Sequence, residues 1–214
     1  MINRLVLPLE PNETYTREGF RIGVNQNLFS TLFSTDHLWV HGDPAVGKTH
    51  AMHILVKGVD DAILVTDADY ELTGLEAFST VVLDGIDQWM GNAENERQIF
   101  GLYERLVRAN RRLVITSEVR LENLDVVLPD LKSRFSMFTR YHMMPLPPEE
   151  QLGFLQDLVK RNGATLNAEV GRYLLRHLTR SQSGLVQVVG RLNEESIFRN
   201  RTISIPFVKE VFSL

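Results

Sequence analysis

The sequence predicts an α/β fold in which helices sandwich a parallel β-sheet, followed by a smaller all-helical domain. Three observations predict it. Short apolar segments of strand-forming residues alternate with segments of helical spacing over residues 37–144. A proline cluster follows at residues 145–148, and beyond it the spacing is helical throughout. A glycine-rich phosphate-binding motif lies between the first predicted strand and the next helix.

The composition limits the kinds of protein this chain can be. Its 214 residues are 43% hydrophobic and 23% charged, which is ordinary for a globular protein with a packed core. The formal net charge is −4 and nothing resembles a dedicated basic tail, so any contact with nucleic acid would have to come from local patches. The absence of cysteine excludes disulfides, thiolate zinc sites and a cysteine nucleophile. No segment has the pattern of a signal peptide or a membrane span, so we expect a cytoplasmic protein without a membrane partner.

The pattern divides the chain into three regions. Residues 1–19 are interrupted by prolines and should form an extended leader. Residues 20–146 should form the nucleotide-binding α/β domain, and residues 147–214 a helical lid. Alternating leucines at Leu5, Leu7 and Leu9 fit an edge strand of the same domain better than a peptide that docks on another protein.

The phosphate-binding motif has the form G-x-x-x-x-G-K-[ST] and consists of Gly42, Asp43, Pro44, Ala45, Val46, Gly47, Lys48 and Thr49. In the order strand, loop, helix, the loop amides and the helix N-terminus face an anion. We expect Lys48 to reach the β- and γ-phosphates of a bound nucleotide and the Thr49 hydroxyl to bind Mg²⁺. Two more candidates for nucleotide contact are His50, which follows the motif, and Asn25, which is also expected to cap a helix starting near Leu28.

A predicted strand at residues 80–84 ends in a carboxylate, Asp84, the form in which phosphate-loop proteins present an aspartate to the metal. Many ATPases of this type carry a second acid at the next position, where this chain has Gly85. Asp87 follows two residues later, but a carboxylate displaced by about an ångström can lose roughly a hundredfold in rate. We therefore predict nucleotide binding with weak hydrolysis at most.

Another predicted strand, at residues 113–117, ends in hydroxyl side chains. We expect Ser117 to approach the γ-phosphate or the attacking water, because ligands gather at the carboxyl ends of parallel strands. Further along, Arg134 lies in the segment 128–135. On the residues alone, a surface ion pair is the simplest interpretation of this arginine.

These features, in this order, resemble the AAA+ family, and within it the DnaA/Hda group, closest to Hda, over nearly the whole chain. Residues 84–87 look like its Walker B region, and residues 128–134 are similar to the segment that carries the family's arginine finger. Residues 205–210 are similar to the Hda C-terminus, and residues 5–9 look like the segment by which Hda docks on the sliding clamp.

The resemblance implies a five-stranded sheet, a helical lid, and ATP or ADP with Mg²⁺ bound through Thr49 and Asp84. It implies that Arg134 acts in trans on ATP held by DnaA, so that the chain regulates replication initiation through protein contacts. The sliding clamp is the second implied partner, through Leu5–Leu9. Self-assembly into a homo-oligomer stays an open alternative.

The chain departs from the family at two positions. Arg4 stands where the clamp-binding segment normally begins with glutamine, and Ser183 where the lid carries a nucleotide-sensing arginine. Residues 67–80 are too few for the insertion with which DnaA engages DNA, and no helix-turn-helix domain follows, so we expect no sequence-specific DNA binding.

Two other functions stay open. A helicase-loader or initiator type of ATPase would use its own hydrolysis, and Gly85 and Ser183 count against it. A small-molecule phosphate-loop kinase is the other alternative. The helical C-terminal domain and the segment around Arg134 count against a kinase.

Overall fold

The computed structural model describes residues 15–17, 19–34, 36–178 and 182–214. The segment predicted to dock on a clamp, Arg4 and Leu5–Leu9, lies outside the described residues, as does the side chain of Ser183.

A single parallel sheet of five strands lies at the centre of the fold, in the order β2–β3–β4–β1–β5. The strands are β1 (Leu38–His41), β2 (Ala62–Val65), β3 (Thr80–Leu83), β4 (Arg112–Ser117) and β5 (Thr139–His142). Every residue of β1, β3 and β4 is buried, as expected where helices cover both faces of a parallel sheet. The predicted α/β fold with a five-stranded parallel sheet is confirmed.

Helices cover the two faces of the sheet and form two separate cores. They are α1 (Leu28–Leu32), α2 (Lys48–Gly58), α3 (Ala93–Arg108) and α4 (Pro129–Ser136). Successive strand residues point to opposite faces. Accordingly, Trp39 packs in the core with α3 and α4, whereas Leu38 and Val40 pack in the core with α1 and α2. Short 3₁₀ helices span Leu75–Ala77, Ile86–Trp89 and Leu121–Asn123.

The C-terminal part of the chain is helical and has a core of its own. It consists of α5 (Pro148–Arg161), α6 (Ala168–His177), α7 (Gln182–Phe198) and α8 (Ile205–Phe212). Pro148 occupies the start of α5, where its missing N–H costs nothing. Phe154, Leu174 and Phe207 are buried together in this second unit. Among the described residues, no helix is both long and apolar enough to span a bilayer.

Asn25 does not cap a helix, contrary to the sequence prediction. Helix α1 begins at Leu28, and no side chain caps it. The Asn25 side chain, only 1% exposed, instead exchanges two hydrogen bonds of 2.9 Å with the backbone of Met144. It thereby fixes the segment before α1 to the chain that leaves β5.

Candidate nucleotide-binding site

The phosphate loop turns sharply from β1 into α2, and two glycines make the turn possible. Gly47 has a φ of 106°, in the left-handed region that favours glycine. A Cβ on Gly42 would lie 2.4 Å from the carbonyl oxygen of Met143, so no larger residue fits there. The N-cap residue Gly47 has no side chain that could accept a hydrogen bond from the first amides of α2. The N-terminus of this 11-residue helix therefore suits an anion.

The Lys48 side chain lies inside this loop and is only 8% exposed. Its ammonium donates hydrogen bonds to the carbonyl oxygens of Gly42, at 2.7 Å, and Asp43, at 2.9 Å. Burial lowers the pKa of Lys48, and the nearby carboxylates of Glu118 and Asp84 oppose that shift. A cation that has lost part of its hydration interacts strongly with an anion, because screening by water is weak there.

Asp84 receives hydrogen bonds from two hydroxyls at the carboxyl end of the sheet. Thr49 donates to its Oδ2 and Thr116 to its Oδ1, each at 2.6 Å. The amide of Gly85 donates in turn to the Thr116 hydroxyl at 2.7 Å. The carboxylate is only 9% exposed, and its bonds join the phosphate loop, β3 and β4.

The oxygens of Thr49 and Asp84 fit a magnesium ion that would also bind phosphate oxygens and water. Mg²⁺ prefers oxygen ligands and usually takes only one or two carboxylates from the protein. Within the part of the chain that the structure describes, no group of three or more His, Asp or Glu could hold a metal. A metal here would therefore depend on the phosphates of a nucleotide for its remaining ligands.

Thr116 lies beside Asp84 at the end of β4, whereas the sequence predicted that Ser117 would approach the γ-phosphate or the attacking water. The register pairs Leu83 with Ile115, so the next residues, Asp84 and Thr116, lie side by side. Ser117 is fully buried, accepts a hydrogen bond from the Trp39 indole at 2.6 Å and donates to Val119 O at 2.5 Å. Its hydroxyl therefore serves the packing of β4 and lies outside the site.

No carboxylate occupies the position after Asp84. Gly85 has a φ of 74°, which disfavours any residue with a side chain. Asp87 lines the cleft, but its Oδ2 accepts a hydrogen bond of 2.9 Å from the amide of Glu118. That bond holds the Asp87 carboxylate against the chain that follows β4.

His50 lies beside the phosphate loop on α2. Its Nε2 is 2.8 Å from the carbonyl oxygen of Thr16, and its ring packs against Tyr15 and Phe20. Burial lowers the pKa of His50, so the neutral ring is favoured. The ring joins residues 15–20 to α2 and also lines the cleft.

The cleft at the end of the sheet has a volume of about 1370 Å³, and the lid closes one side of it. Lys48, Thr49, Asp84 and Thr116 line it from the sheet. From the lid, α5 contributes Arg161, and α7 contributes residues that sequence reasoning did not select: Gln187, Gly190, Arg191 and Glu194. In the sequence these four residues share only a helical spacing, which places them on one face of α7. Because α7 is apolar on several sides, the sequence does not show which face meets the cleft.

Arg134 lies outside this cleft, on α4. Its side chain is 42% exposed, and one guanidinium nitrogen is 3.3 Å from a carboxylate oxygen of Glu104 on α3. This contact matches the surface ion pair expected from the residues alone. The guanidinium also faces solvent, where a second protein could approach it.

The lid sequence and the fold of this chain are similar to those of known proteins. Residues 148–212 match the family model described as Hda, lid domain. Domain III of the Thermotoga maritima replication initiation protein DnaA is similar in fold, with a TM-score of 0.80, 15% identity, and coverage of 94% of this chain and 97% of that chain.

Two further solved structures share the fold at lower similarity. AMPPCP-bound DnaA from Aquifex aeolicus has a TM-score of 0.73 and 18% identity, covering 90% of this chain and 71% of that chain. The Thermotoga maritima RuvB Holliday junction branch migration motor has a TM-score of 0.66 and 14% identity, covering 89% and 67%. Residues 148–212 thus match an Hda lid domain, and the fold of the chain is similar to that of DnaA domain III.

Proposed function

We propose that this chain is an Hda-like regulator of replication initiation, which promotes hydrolysis of ATP held by DnaA. The observation that carries the proposal is the separation of two cations. Lys48 is buried in the chain's own cleft, whereas Arg134 is half exposed on α4, outside it. One cation is placed for the chain's own nucleotide and the other for a nucleotide on a neighbouring protein.

The chain's own ligand would be ATP or ADP with Mg²⁺. The uncapped start of α2, Lys48 and the Thr49–Asp84 pair provide the groups that bind phosphates and a metal. Two DnaA structures of similar fold are described as AMPPCP-bound, which supports the same ligand class here. The metal would neutralise phosphate charge between the nucleotide and Asp84.

Hydrolysis of the chain's own nucleotide would be weak. Gly85 offers no acid, and the Asp87 carboxylate is bonded to the Glu118 amide. A helicase-loader or initiator type of ATPase would instead need a working acid in this cleft. Single-turnover ATP hydrolysis by the isolated chain separates the two: a rate typical of a motor, lost in Asp84→Ala, would contradict the regulatory function.

In the partner's site, Arg134 would stabilise the negative charge that develops on the γ-phosphate during transfer. Such an arginine supplied in trans contributes roughly 10³–10⁵ to the rate in related enzymes. The ion pair with Glu104 does not prevent this, because a half-exposed pair is worth about 1 kcal/mol or less. The guanidinium can therefore exchange Glu104 for a phosphate.

The other proposed features follow the family. Residues 20–146 would form the nucleotide-binding domain and 147–214 the lid, with residues 1–19 as a leader that docks on the sliding clamp through Leu5–Leu9. The protein would act in the cytoplasm through DnaA and the clamp, and without reading a DNA sequence.

Deleting residues 1–9 should abolish pull-down of the sliding clamp. Unaltered pull-down would contradict the proposed contact between the leader and the clamp.

The decisive experiment compares Arg134→Ala with Lys132→Ala on the same exposed helix. Arg134→Ala should lower the stimulated hydrolysis of ATP on DnaA by roughly a thousandfold or more, because the charge that stabilises the transition state is lost. Its own nucleotide affinity should not change. Lys132→Ala should keep most of the stimulation. A tenfold loss of the variant's own nucleotide affinity would instead place Arg134 in its own cleft.

A further inference from the structure

Glu96, on the first turns of α3, is a completely buried carboxylate that the proposed mechanism has not used. It is 0% exposed. Its Oε1 accepts hydrogen bonds from the amides of Gly91, at 3.1 Å, and Val127, at 3.0 Å. Its Oε2 accepts one from the amide of Leu128 at 2.6 Å. All three donors belong to the backbone.

A buried carboxylate needs partners that replace its lost hydration, because burying it unpaired is strongly unfavourable. Three hydrogen bonds to a charged acceptor offset that cost, and each is stronger than a bond between neutral groups. Val127 and Leu128 immediately precede α4. The carboxylate therefore also lies at the positive end of the α4 dipole, where an anion is favoured.

These bonds join three parts of the molecule. Gly91 ends the segment that begins at Asp84 and includes the short helix Ile86–Trp89. Leu128 begins the helix that carries Arg134. Glu96 thus connects the chain that leaves the nucleotide site, helix α3 and the start of α4.

A second carboxylate of α3 also reaches α4, but its contact is much weaker. Glu104 lies eight residues after Glu96, about two helical turns along the same side of α3. Its single contact with Arg134 is 3.3 Å long, and both side chains are partly exposed. Glu96 fixes the backbone of α4, whereas Glu104 only restrains the end of one side chain.

We propose that Glu96 is the positioning residue for Arg134. By holding the amides of Val127 and Leu128, it sets where α4 begins and hence where the guanidinium stands relative to a partner's nucleotide. The inference rests on the proposed role of Arg134 in trans. Buried Leu131 and Phe135 hold α4 on the sheet, but apolar contacts alone define its axial position less sharply than directed hydrogen bonds do.

The test is Glu96→Gln, which keeps the shape of the side chain and removes its charge. A displacement of about an ångström can cost roughly a hundredfold in rate. We therefore expect the maximal rate of stimulated hydrolysis to fall about tenfold to a hundredfold, measured with ATP-loaded DnaA and Mg²⁺. The half-saturating concentration of the variant and its own nucleotide affinity should stay within about twofold, since Arg134 acts in the transition state.

Two control variants lie on the same helix. Glu94→Gln removes an exposed carboxylate that pairs with Arg97, at 2.8 Å, on the same helix. Glu104→Gln removes the exposed partner of Arg134. Each should change the maximal rate by less than about fivefold, because exposed ion pairs contribute about 1 kcal/mol at most. Amide hydrogen exchange should lose protection at Val127 and Leu128 in Glu96→Gln alone.

Several outcomes would overturn the inference. Full maximal stimulation by Glu96→Gln, with Arg134→Ala inactive, overturns the positioning role alone. Full stimulation by Arg134→Ala overturns the proposed function as well. A parallel loss of nucleotide affinity and stimulation would mean that Glu96 only supports the fold.

If Glu96→Gln does not fold, Leu128→Pro tests the same contact, because proline has no amide N–H to donate to Oε2. Leu128 has a φ of −86°. That variant must then show the same drop in maximal rate, and full stimulation by it overturns the inference.

Discussion

The nucleotide cleft and the surface around Arg134 are built differently, although we propose that each presents a cation to a phosphate. In the cleft, Lys48 is 8% exposed and bonded to two carbonyls at 2.7 and 2.9 Å. On α4, the Arg134 side chain is 42% exposed and contacts a Glu104 carboxylate oxygen at 3.3 Å. The first cation is fixed and desolvated, and the second is presented to solvent.

If Arg134 acts on a partner as proposed, this difference separates binding of the chain's own nucleotide from action on that partner. A fixed, buried cation makes a strong site for the chain's own ligand, since little reorganisation is needed when the ligand binds. An exposed arginine contributes little until a second protein buries it. In the proposed arrangement, Glu96 holds the backbone at the start of α4 while the guanidinium stays exposed, which would combine accurate placement with access.

The largest expected effect that would break this comparison is loss of Lys48. Lys48→Ala should weaken ATP or ADP binding by about a hundredfold or more, roughly 2.7 kcal/mol, because a partly desolvated cation is removed from the phosphates. Isothermal titration calorimetry with Mg²⁺ present measures this change in nucleotide affinity. Lys132→Ala, on the exposed side of α4, is the matched control and should bind normally. Wild-type affinity in Lys48→Ala would show that the cleft does not bind phosphates through this loop.

A smaller effect distinguishes the two hydroxyls at the end of β4. Thr116→Val keeps the side-chain shape but removes the donor to Asp84 and the acceptor for the Gly85 amide. We expect affinity for the magnesium nucleotide to fall about tenfold, or 1.4 kcal/mol, with a modest loss of stability.

Ser117→Ala should behave in the opposite way. It leaves the buried Trp39 indole N–H without its acceptor, so the free energy of unfolding should fall by about 1–3 kcal/mol. Nucleotide affinity should be unchanged. Urea denaturation of both variants measures the free energy of unfolding, and calorimetry measures the nucleotide affinity. If Ser117→Ala weakened binding more than Thr116→Val, the assignment of Thr116 to the site would be wrong.

The two hydroxyls also show why the sequence could predict the fold and the phosphate loop but not the whole site. The strands and the loop are local patterns, readable from spacing alone. In β4, all six residues are buried, so no alternation of apolar and polar residues indicates which hydroxyl faces the ligand. Only the register with β3 places Thr116 beside Asp84.

The helix cap predicted at Asn25 was wrong, and no role was predicted for Glu96, because the partners of both side chains are distant in the chain. Asn25 has the residue type and position of a helix cap, but its bonds go to Met144, 119 residues away. Glu96 resembles any acidic residue in the first turns of a helix, where a carboxylate is favoured in solvent. Its burial depends on amides 31 and 32 residues later. Neither contact has a local signature.

The smallest predicted effect is the dependence of stability on pH. It concerns residues near the cleft and not α4. Burial lowers the pKa of four histidines below the ordinary value of 6.5: His37, His41, His50 and His53. His41 immediately precedes the phosphate loop, and His50 and His53 lie on α2, whereas α4 contains no histidine. The unfolded chain therefore takes up protons at a higher pH than the folded chain does.

The stability provided by these neutral rings should be complete above about pH 7 and should decrease as the pH falls below 6.5. Each ring contributes a slope of at most about 1.4 kcal/mol per pH unit. Urea denaturation between about pH 5.5 and pH 7.5 measures the slope, before most carboxylates titrate. His53→Gln should flatten this slope, because one buried ring no longer competes for a proton. Stability that rose on acidification would mean that the folded protein stabilises charged histidines, and the cleft would then be more polar than its packing indicates.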